Sequence, residues 1–457
     1  MRRFFFMFFT AVVMGQPATY EKGRVIDSIA IKGSADETYA LYLPEKFDAS
    51  QLSAILFVFD PLARGKVGVG TFTAAADKYN YILVCSNNTR NGPYERNFAI
   101  TNRLFDHIFA QFNIDEQQIY TAGFSGGSRL ACSIAVLTNA IQGVIGCGAG
   151  FSMNSPQMPS INSNFSYVGL VGNRDMNYQE MFRVKDWLDQ FSLKNEIITY
   201  EDEHRWPPEE QILRAFDWLE LQAYKKGIRA KDTNVIVAAF KRNHDVAAQA
   251  MASDDLLLAV SEYERILRNF SGDLAVDSIS AKVKRLKKDR RYKKLEKAKK
   301  GLAKLEDELS EKFTLQFNEE VLQARTKDDY RWWKQELKVF DTKHLNHENP
   351  DHRNMAQRVR FKLRALAIES SDAYLRDKDY GRALYCDRLF AVLDPNGSYP
   401  FYRLARHYAR TEDLDKFFEN LETALGHGFT NKKWLLNTEE FQPYLTHPRF
   451  VKLLASY

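Results

Sequence analysis

The chain has 457 residues, 45% hydrophobic and 27% charged, which fits a soluble globular protein of two or three domains. Its net charge of +5 is small for this length and does not by itself call for nucleic acid or an anionic membrane as a partner. Four cysteines are too few for a disulfide framework, and no Cys/His cluster has zinc spacing, so neither a structural metal nor a cofactor is expected.

Arg2 and Arg3 are followed by an apolar run, residues 4–14, too short to span a bilayer. Small and polar residues follow at Gly15, Gln16 and Ala18. The pattern predicts a signal peptide over residues 1–15, cleaved after Gly15, and a secreted or periplasmic protein. No cysteine precedes Cys85, which argues against a lipid anchor. No later stretch reads as a transmembrane helix.

Residues 25–31 and 39–43 alternate apolar and polar, as in an antiparallel pair at a sheet edge. Residues 54–59 form a continuous apolar run, the mark of a strand buried on both faces. It ends at Asp60-Pro61-Leu62-Ala63-Arg64-Gly65. A helix is expected over 72–78, a strand over 81–85, a loop over 86–93 and a long helix over 94–112. Further strands are expected at 118–121, 141–147, 167–171 and 196–200, with helices at 178–191 and 209–224. Strands alternating with helices predict an α/β fold, a mainly parallel sheet covered on both faces. Its site should lie at the carboxyl ends of the strands.

The strand at 118–121 runs into Gly123-Phe124-Ser125-Gly126-Gly127, and an amphipathic segment follows. Gly-x-Ser-x-Gly between strand and helix predicts a strained elbow that lifts the serine Oγ clear of the sheet. A serine hydroxyl needs a base, and the base needs an orienting acid. Up to Gly227 the histidines are His107, inside a helical pattern, and His204, in the loop Glu201-Asp-Glu-His-Arg-Trp-Pro-Pro208. Asp175 stands just past a buried strand, in Gly172-Asn-Arg-Asp-Met-Asn177. The order Ser125, Asp175, His204 is the one expected of a nucleophile-elbow hydrolase. Asp202, Glu203, Asp186 and Asp189 compete as acids, but the first two neighbour the base and the others read as a solvated helix face. For an oxyanion, Gly126 N–H is the first donor expected. Pro61 has no N–H, so Leu62 is expected as the second, with Ala63 in reserve. Asp60 reads as a turn-former. Asn88, Arg90 and Asn91, past another strand end, are candidate substrate-binding residues.

Residues from about 22 to 225 resemble an α/β-hydrolase of the small esterase branch. They are similar to dienelactone hydrolases and to polyhydroxybutyrate-depolymerase or feruloyl-esterase-like proteins. The matching pieces are Gly123-Phe-Ser-Gly-Gly127, Gly172-Asn-Arg-Asp-Met-Asn177 and His204-Arg-Trp-Pro-Pro208. The resemblance implies Ser125 as nucleophile, Asp175 as orienting acid and His204 as general base. Two departures bear on substrate preference: Glu203 replaces the usual glycine before the histidine, and Asp60-Pro61 replaces a His-Gly pair.

After Gly227 the strand signals stop. Residues 228–345 read as a helical segment. Its basic run, 282–304, reads as a solvated helix face rather than a nucleic-acid site. Leu295, Ala298, Leu302, Leu305 and Leu309 form an apolar seam. Residues 346–457 carry an internal repeat. Tyr374, Ala383 and Pro395 have tetratricopeptide offsets, and Tyr408 follows Tyr374 by 34 residues. Phe401, Leu404, Ala405 and Ala424 fit that second copy, and Ala259 and Tyr263 fit a weaker third. Such an array would present a surface for a protein or peptide partner.

The sequence therefore predicts an exported serine hydrolase, acting on a small-molecule or polymeric carboxylic ester rather than a peptide. The alternative is an envelope interaction module built on a weak or inactive hydrolase scaffold.

Overall fold

The computed structural model describes residues 20–323 and 329–455, so the expected signal segment, 1–15, lies outside the described residues. The chain divides into two compact units, Met1–Lys299 and Lys300–Tyr457.

The first unit is built on an eight-stranded sheet of order β1-β2-β4-β3-β5-β6-β7-β8. The strands are β1 (Val25–Ala30), β2 (Thr38–Tyr42), β3 (Ser53–Phe59), β4 (Tyr81–Ser86), β5 (Ile114–Phe124), β6 (Gly143–Cys147), β7 (Ser166–Gly172) and β8 (Asn195–Tyr200). β2 runs antiparallel to both neighbours, and every other pairing from β4 to β8 is parallel. The connecting helices are α1 (Gly65–Gly70), α2 (Thr73–Tyr79), α3 (Tyr94–Gln111), α4 (Gly126–Thr138), α5 (Tyr178–Gln190) and α6 (Glu209–Lys225). This is the α/β-hydrolase fold.

All seven residues of β3 are buried, as the uninterrupted apolar run requires. Successive side chains supply opposite layers. Ile55 and Phe57 join Leu104, Phe105 and Leu130 on the α3–α4–α5 face. Leu56 and Val58 join Phe72, Tyr79 and Phe216 on the other. Register aligns the carboxyl ends: Phe59 sits opposite Gly123, Phe124 opposite Cys147, and Gly172 opposite Tyr200. The loops after β3, β5, β6, β7 and β8 therefore leave the sheet along one rim.

The boundary expected near residue 225 is not a break in packing. The first unit continues through α7 (Thr233–Ala252), α8 (Leu256–Phe270) and α9 (Asp277–Lys288). Leu221 and Tyr224 of α6 share a core with Ile236, Ala239, Tyr263 and Phe270. Arg265 of α8 donates to the Ile197 carbonyl of β8 at 2.8 Å, and Arg268 reaches Glu196 at 2.8 Å. Glu262 of α8 pairs with Arg214 of α6, both wholly buried.

The division between the units falls within α10 (Arg290–Leu322). After Gly227 the described residues form helices and no strand. In the second unit, Leu302, Leu305 and Leu309 of the expected seam pack on a core holding Phe313, Trp333, Phe340 and Phe390. α11 (Arg331–Phe340) leads to two hairpins, α12 (Pro350–Arg376) with α13 (Tyr380–Leu393), and α14 (Ser398–Arg410) with α15 (Leu414–Gly426). Ala383, Ala405 and Ala424 are fully buried, where small side chains let helices approach closely.

The hairpin turns share one construction. Lys378 and Glu412 adopt left-handed φ of 59° and 60°. Asp379 and Asp413 follow as N-caps, each accepting from the backbone N–H three residues on. The turn joining α7 to α8, in the first unit, is built alike from Asp254 and Asp255. Cys85, Cys132, Cys147 and Cys386 are all buried free thiols, so Cys132 and Cys147 are not paired.

Candidate active site

Ser125 joins β5 to α4 with φ 53° and ψ −120°, a strained backbone for a residue bearing a Cβ. Its N–H donates to the Cys147 carbonyl at 2.8 Å. Two glycines make the elbow sterically feasible. A Cβ on Gly123 would lie 2.2 Å from the Gly127 carbonyl oxygen, and one on Gly127 would lie 2.0 Å from that of Phe59. Strand and helix therefore pass at backbone contact.

His204 sits in the loop after β8. Its Nε2 lies 2.9 Å from Ser125 Oγ, and its Nδ1 lies 2.8 Å from Asp175 Oδ2. Asp175 is buried, and its Oδ1 accepts the Asn177 N–H at 2.8 Å. Gly148 passes beneath the pair in a left-handed conformation; a Cβ there would come 2.9 Å from Asp175 Oδ2. Two of the four competing acids are engaged elsewhere. Asp202 pairs with Arg205 and caps the Glu203 N–H, and Asp189 pairs with Lys185. His107 belongs to α3, where it accepts the Lys32 N–H at 3.2 Å and meets the Tyr39 hydroxyl at 3.4 Å.

Asp60 does more than form a turn. Its buried carboxylate accepts from the Leu62 N–H (2.8 Å), the Arg64 side chain (2.8 Å and 3.0 Å) and Trp206 Nε1 (2.9 Å). Trp206 lies two residues after His204, and its ring packs on Phe124 at 5.4 Å, which in turn packs on the His204 ring at 4.6 Å. One carboxylate thus ties the loop after β3 to the loop that carries the imidazole. The Trp in His204-Arg-Trp-Pro-Pro208 was the available sign of such an anchor.

Burial alone would raise the Asp60 carboxyl. The hydrogen bonds from Arg64, Trp206 and Leu62 outweigh it and hold the group below its ordinary 3.8. Its contribution to stability is therefore complete above that value and is lost as pH falls through the lower folded one. Thermal melts between about pH 7 and about pH 3 should show Asp60→Asn less stable than the natural protein, with the gap closing as pH falls. A gap constant with pH would contradict this role.

The remaining expected residues separate. Gly126 opens α4 directly after Ser125. The Leu62 N–H, expected as an oxyanion donor, is taken up by Asp60, and the Ala63 N–H donates to the Asp60 carbonyl at 3.2 Å. Asn88 is turned toward the start of β2: it accepts from the Thr38 N–H at 2.9 Å and donates to the Asp36 carbonyl at 3.0 Å. Arg90 is exposed and pairs across a short bridge with Leu62. Asn91 donates its N–H to the Pro61 carbonyl at 2.9 Å. Among the described residues no cluster of three or more His, Cys, Asp or Glu side chains has metal-ligating geometry.

Several solved α/β-hydrolases resemble this chain over 44% of its length. S-formylglutathione hydrolase of Staphylococcus aureus aligns at 13% identity and TM-score 0.35, covering 99% of that protein. A protein of Klebsiella pneumoniae described as a dienelactone hydrolase aligns at 14% and 0.35, covering 97% of it. Est1E of Butyrivibrio proteoclasticus aligns at 10% and 0.35, covering 99%. No protein-family model and no curated protein matches the chain.

Proposed function

We propose that the first unit is a serine hydrolase that cleaves carboxylic esters through an acyl-enzyme on Ser125. The observation that carries this reading is the unbroken path from Ser125 Oγ through the His204 ring to the buried Asp175 carboxylate. His204 Nε2 takes the serine proton as Oγ attacks the ester carbonyl. The carbonyl π pair moves onto oxygen, beside the Gly126 N–H at the positive end of α4. Collapse breaks the bond to the alcohol, which leaves with the proton held by His204. Water then attacks the acyl carbon and gives a proton to His204. The carboxylic acid departs as that proton returns to Ser125. Asp175 fixes the imidazole tautomer and stabilises its charged form.

Leu62, 63% exposed on the rim, offers an apolar surface for an acyl or alcohol chain. Export is part of the same proposal and rests on Arg2, Arg3 and the apolar run that follows. Among the described residues no helix is long and apolar enough to cross a membrane.

A fluorophosphonate probe tests the chemistry. It should label the natural protein and leave Ser125→Ala unlabelled. Failure to label the natural protein, or equal labelling of the variant, would overturn the reading. Rates on p-nitrophenyl acyl esters of graded length would then define the acyl group.

A further inference from the structure

We propose that the side-chain amide of Asn91 supplies the second oxyanion donor, working with the Gly126 N–H. The inference rests on the acyl-transfer reading above and adds one group to it.

A tetrahedral oxyanion calls for two donors in fixed positions. In the loop after β3 the N–H groups of residues 62–65 are all taken. Pro61 carries no N–H. The Leu62 and Arg64 N–H groups both donate to Asp60 Oδ1, at 2.8 Å and 3.3 Å. The Ala63 N–H donates to the Asp60 carbonyl, and the Gly65 N–H donates to Asn87 Oδ1 at 2.9 Å. Freeing the Leu62 N–H would remove a hydrogen bond from a buried, ionised carboxylate, which is costly. That carboxylate also holds Trp206, so the change would disturb the His204 loop.

Asn91 is placed differently. Its backbone N–H is bound to the Pro61 carbonyl, and its neighbour Arg90 bridges to Leu62, so the loop after β4 is clamped against the loop after β3. The clamp directs the Asn91 side chain onto the elbow. A Cβ built on Gly126 would lie 1.9 Å from Asn91 Oδ1, 2.9 Å from Cγ and 3.4 Å from Nδ2. The amide thus fills the space a side chain at 126 would take, beside the residue whose N–H follows the nucleophile. The Asn91 amide makes no hydrogen bond to any described residue, so nothing fixes which of its ends faces Gly126. Half a turn about χ2 exchanges Oδ1 and Nδ2 at no change in volume. An entering carbonyl oxygen that gains negative charge selects the donor end. The glycine at 126 is then required chemically as well as sterically, because any larger residue would evict the amide.

Steady-state kinetics on p-nitrophenyl butyrate test the assignment. Asn91→Ala should lower kcat by about 100-fold, with KM changed less than about threefold. Asn91→Asp, of equal size but without a donor, should be no better than the alanine variant. Circular dichroism and melting should show both variants folded, since Asn91 is exposed. Gly126→Ala should also lose activity by displacing the amide, and its loss should not add to that of Asn91→Ala. A kcat within about twofold of natural for Asn91→Ala, a loss confined to KM, or fully additive losses would each overturn the inference. Fluorophosphonate labelling at Ser125 separates the two failures. If the natural protein labels and Asn91→Ala turns over normally, only the donor assignment falls. If the natural protein neither labels nor hydrolyses, the acyl-transfer reading falls with it.

Discussion

Asp175→Asn should lower kcat by about 10⁴-fold, whereas Asp202→Asn should change it by less than about tenfold. The contrast follows from where each carboxylate points. Asp175 Oδ2 lies 2.8 Å from His204 Nδ1. An asparagine amide there can present Nδ2–H to that nitrogen, which forces the imidazole proton onto Nε2. Nε2 then faces Ser125 Oγ, 2.9 Å away, as a donor and cannot take the serine proton. Asp202 neighbours His204 in sequence, yet its carboxylate serves Arg205 and the Glu203 N–H. Ser125→Ala and His204→Ala should each lower kcat by about 10⁴- to 10⁶-fold, and the double variant should be no worse than the poorer single one. Groups that act as one unit fail together. Losses that multiply instead would mean Ser125 and His204 act independently, and a large loss for Asp202→Asn would reassign the acid.

The α/β architecture was legible because burial on two faces and burial on one leave different patterns. The unbroken run at 54–59 became the fully buried β3, and the alternation at 25–31 became the edge strand β1. The contact among Ser125, His204 and Asp175 could be anticipated because each stands just past a strand, and parallel strands in register bring their ends to one rim. α1 was missed. Gly65-Lys-Val-Gly-Val-Gly70 reads as a loop, yet Gly68 is needed because a Cβ would stand 2.7 Å from Cys85 Sγ. The engagement of the Leu62 N–H was not legible, because nothing in its neighbours shows that the Asp60 side chain folds back onto the next N–H groups. The loop bonds of Asn88 were not legible either, because an asparagine past a strand end serves loop geometry as readily as a ligand.

The boundary expected near 225 rests on the end of the strand pattern, and the packing that crosses it sets the last expected result. Glu262→Ala should destabilise the first unit by about 3–5 kcal/mol. Charged side chains are ordinarily found at the surface. Here the charges face inward. Glu262 is fully buried between Arg214 of α6 and Arg265 of α8, the latter at 3.2 Å. Burial drives the Arg214 guanidinium below its ordinary value, and Glu262 opposes that drift. Removing Glu262 leaves two buried guanidinium groups without their shared counter-charge, and breaking such a set costs far more than its net worth. Urea unfolding, followed by tryptophan fluorescence and by ester hydrolysis together, should show one transition moved to lower denaturant. The two signals should move together because Arg265 and Arg268 bind α8 to β8, the strand that delivers the His204 loop. The same reasoning separates two truncations. A chain ending at Gly227 exposes Leu221 and Tyr224 and strands Arg214 and Glu196, and should be insoluble. A chain ending at Lys299 keeps that layer and should stay folded and active. If the shorter chain is equally soluble and active, or if Glu262→Ala unfolds α7–α9 while hydrolysis persists, then α7–α9 are an appendage after all.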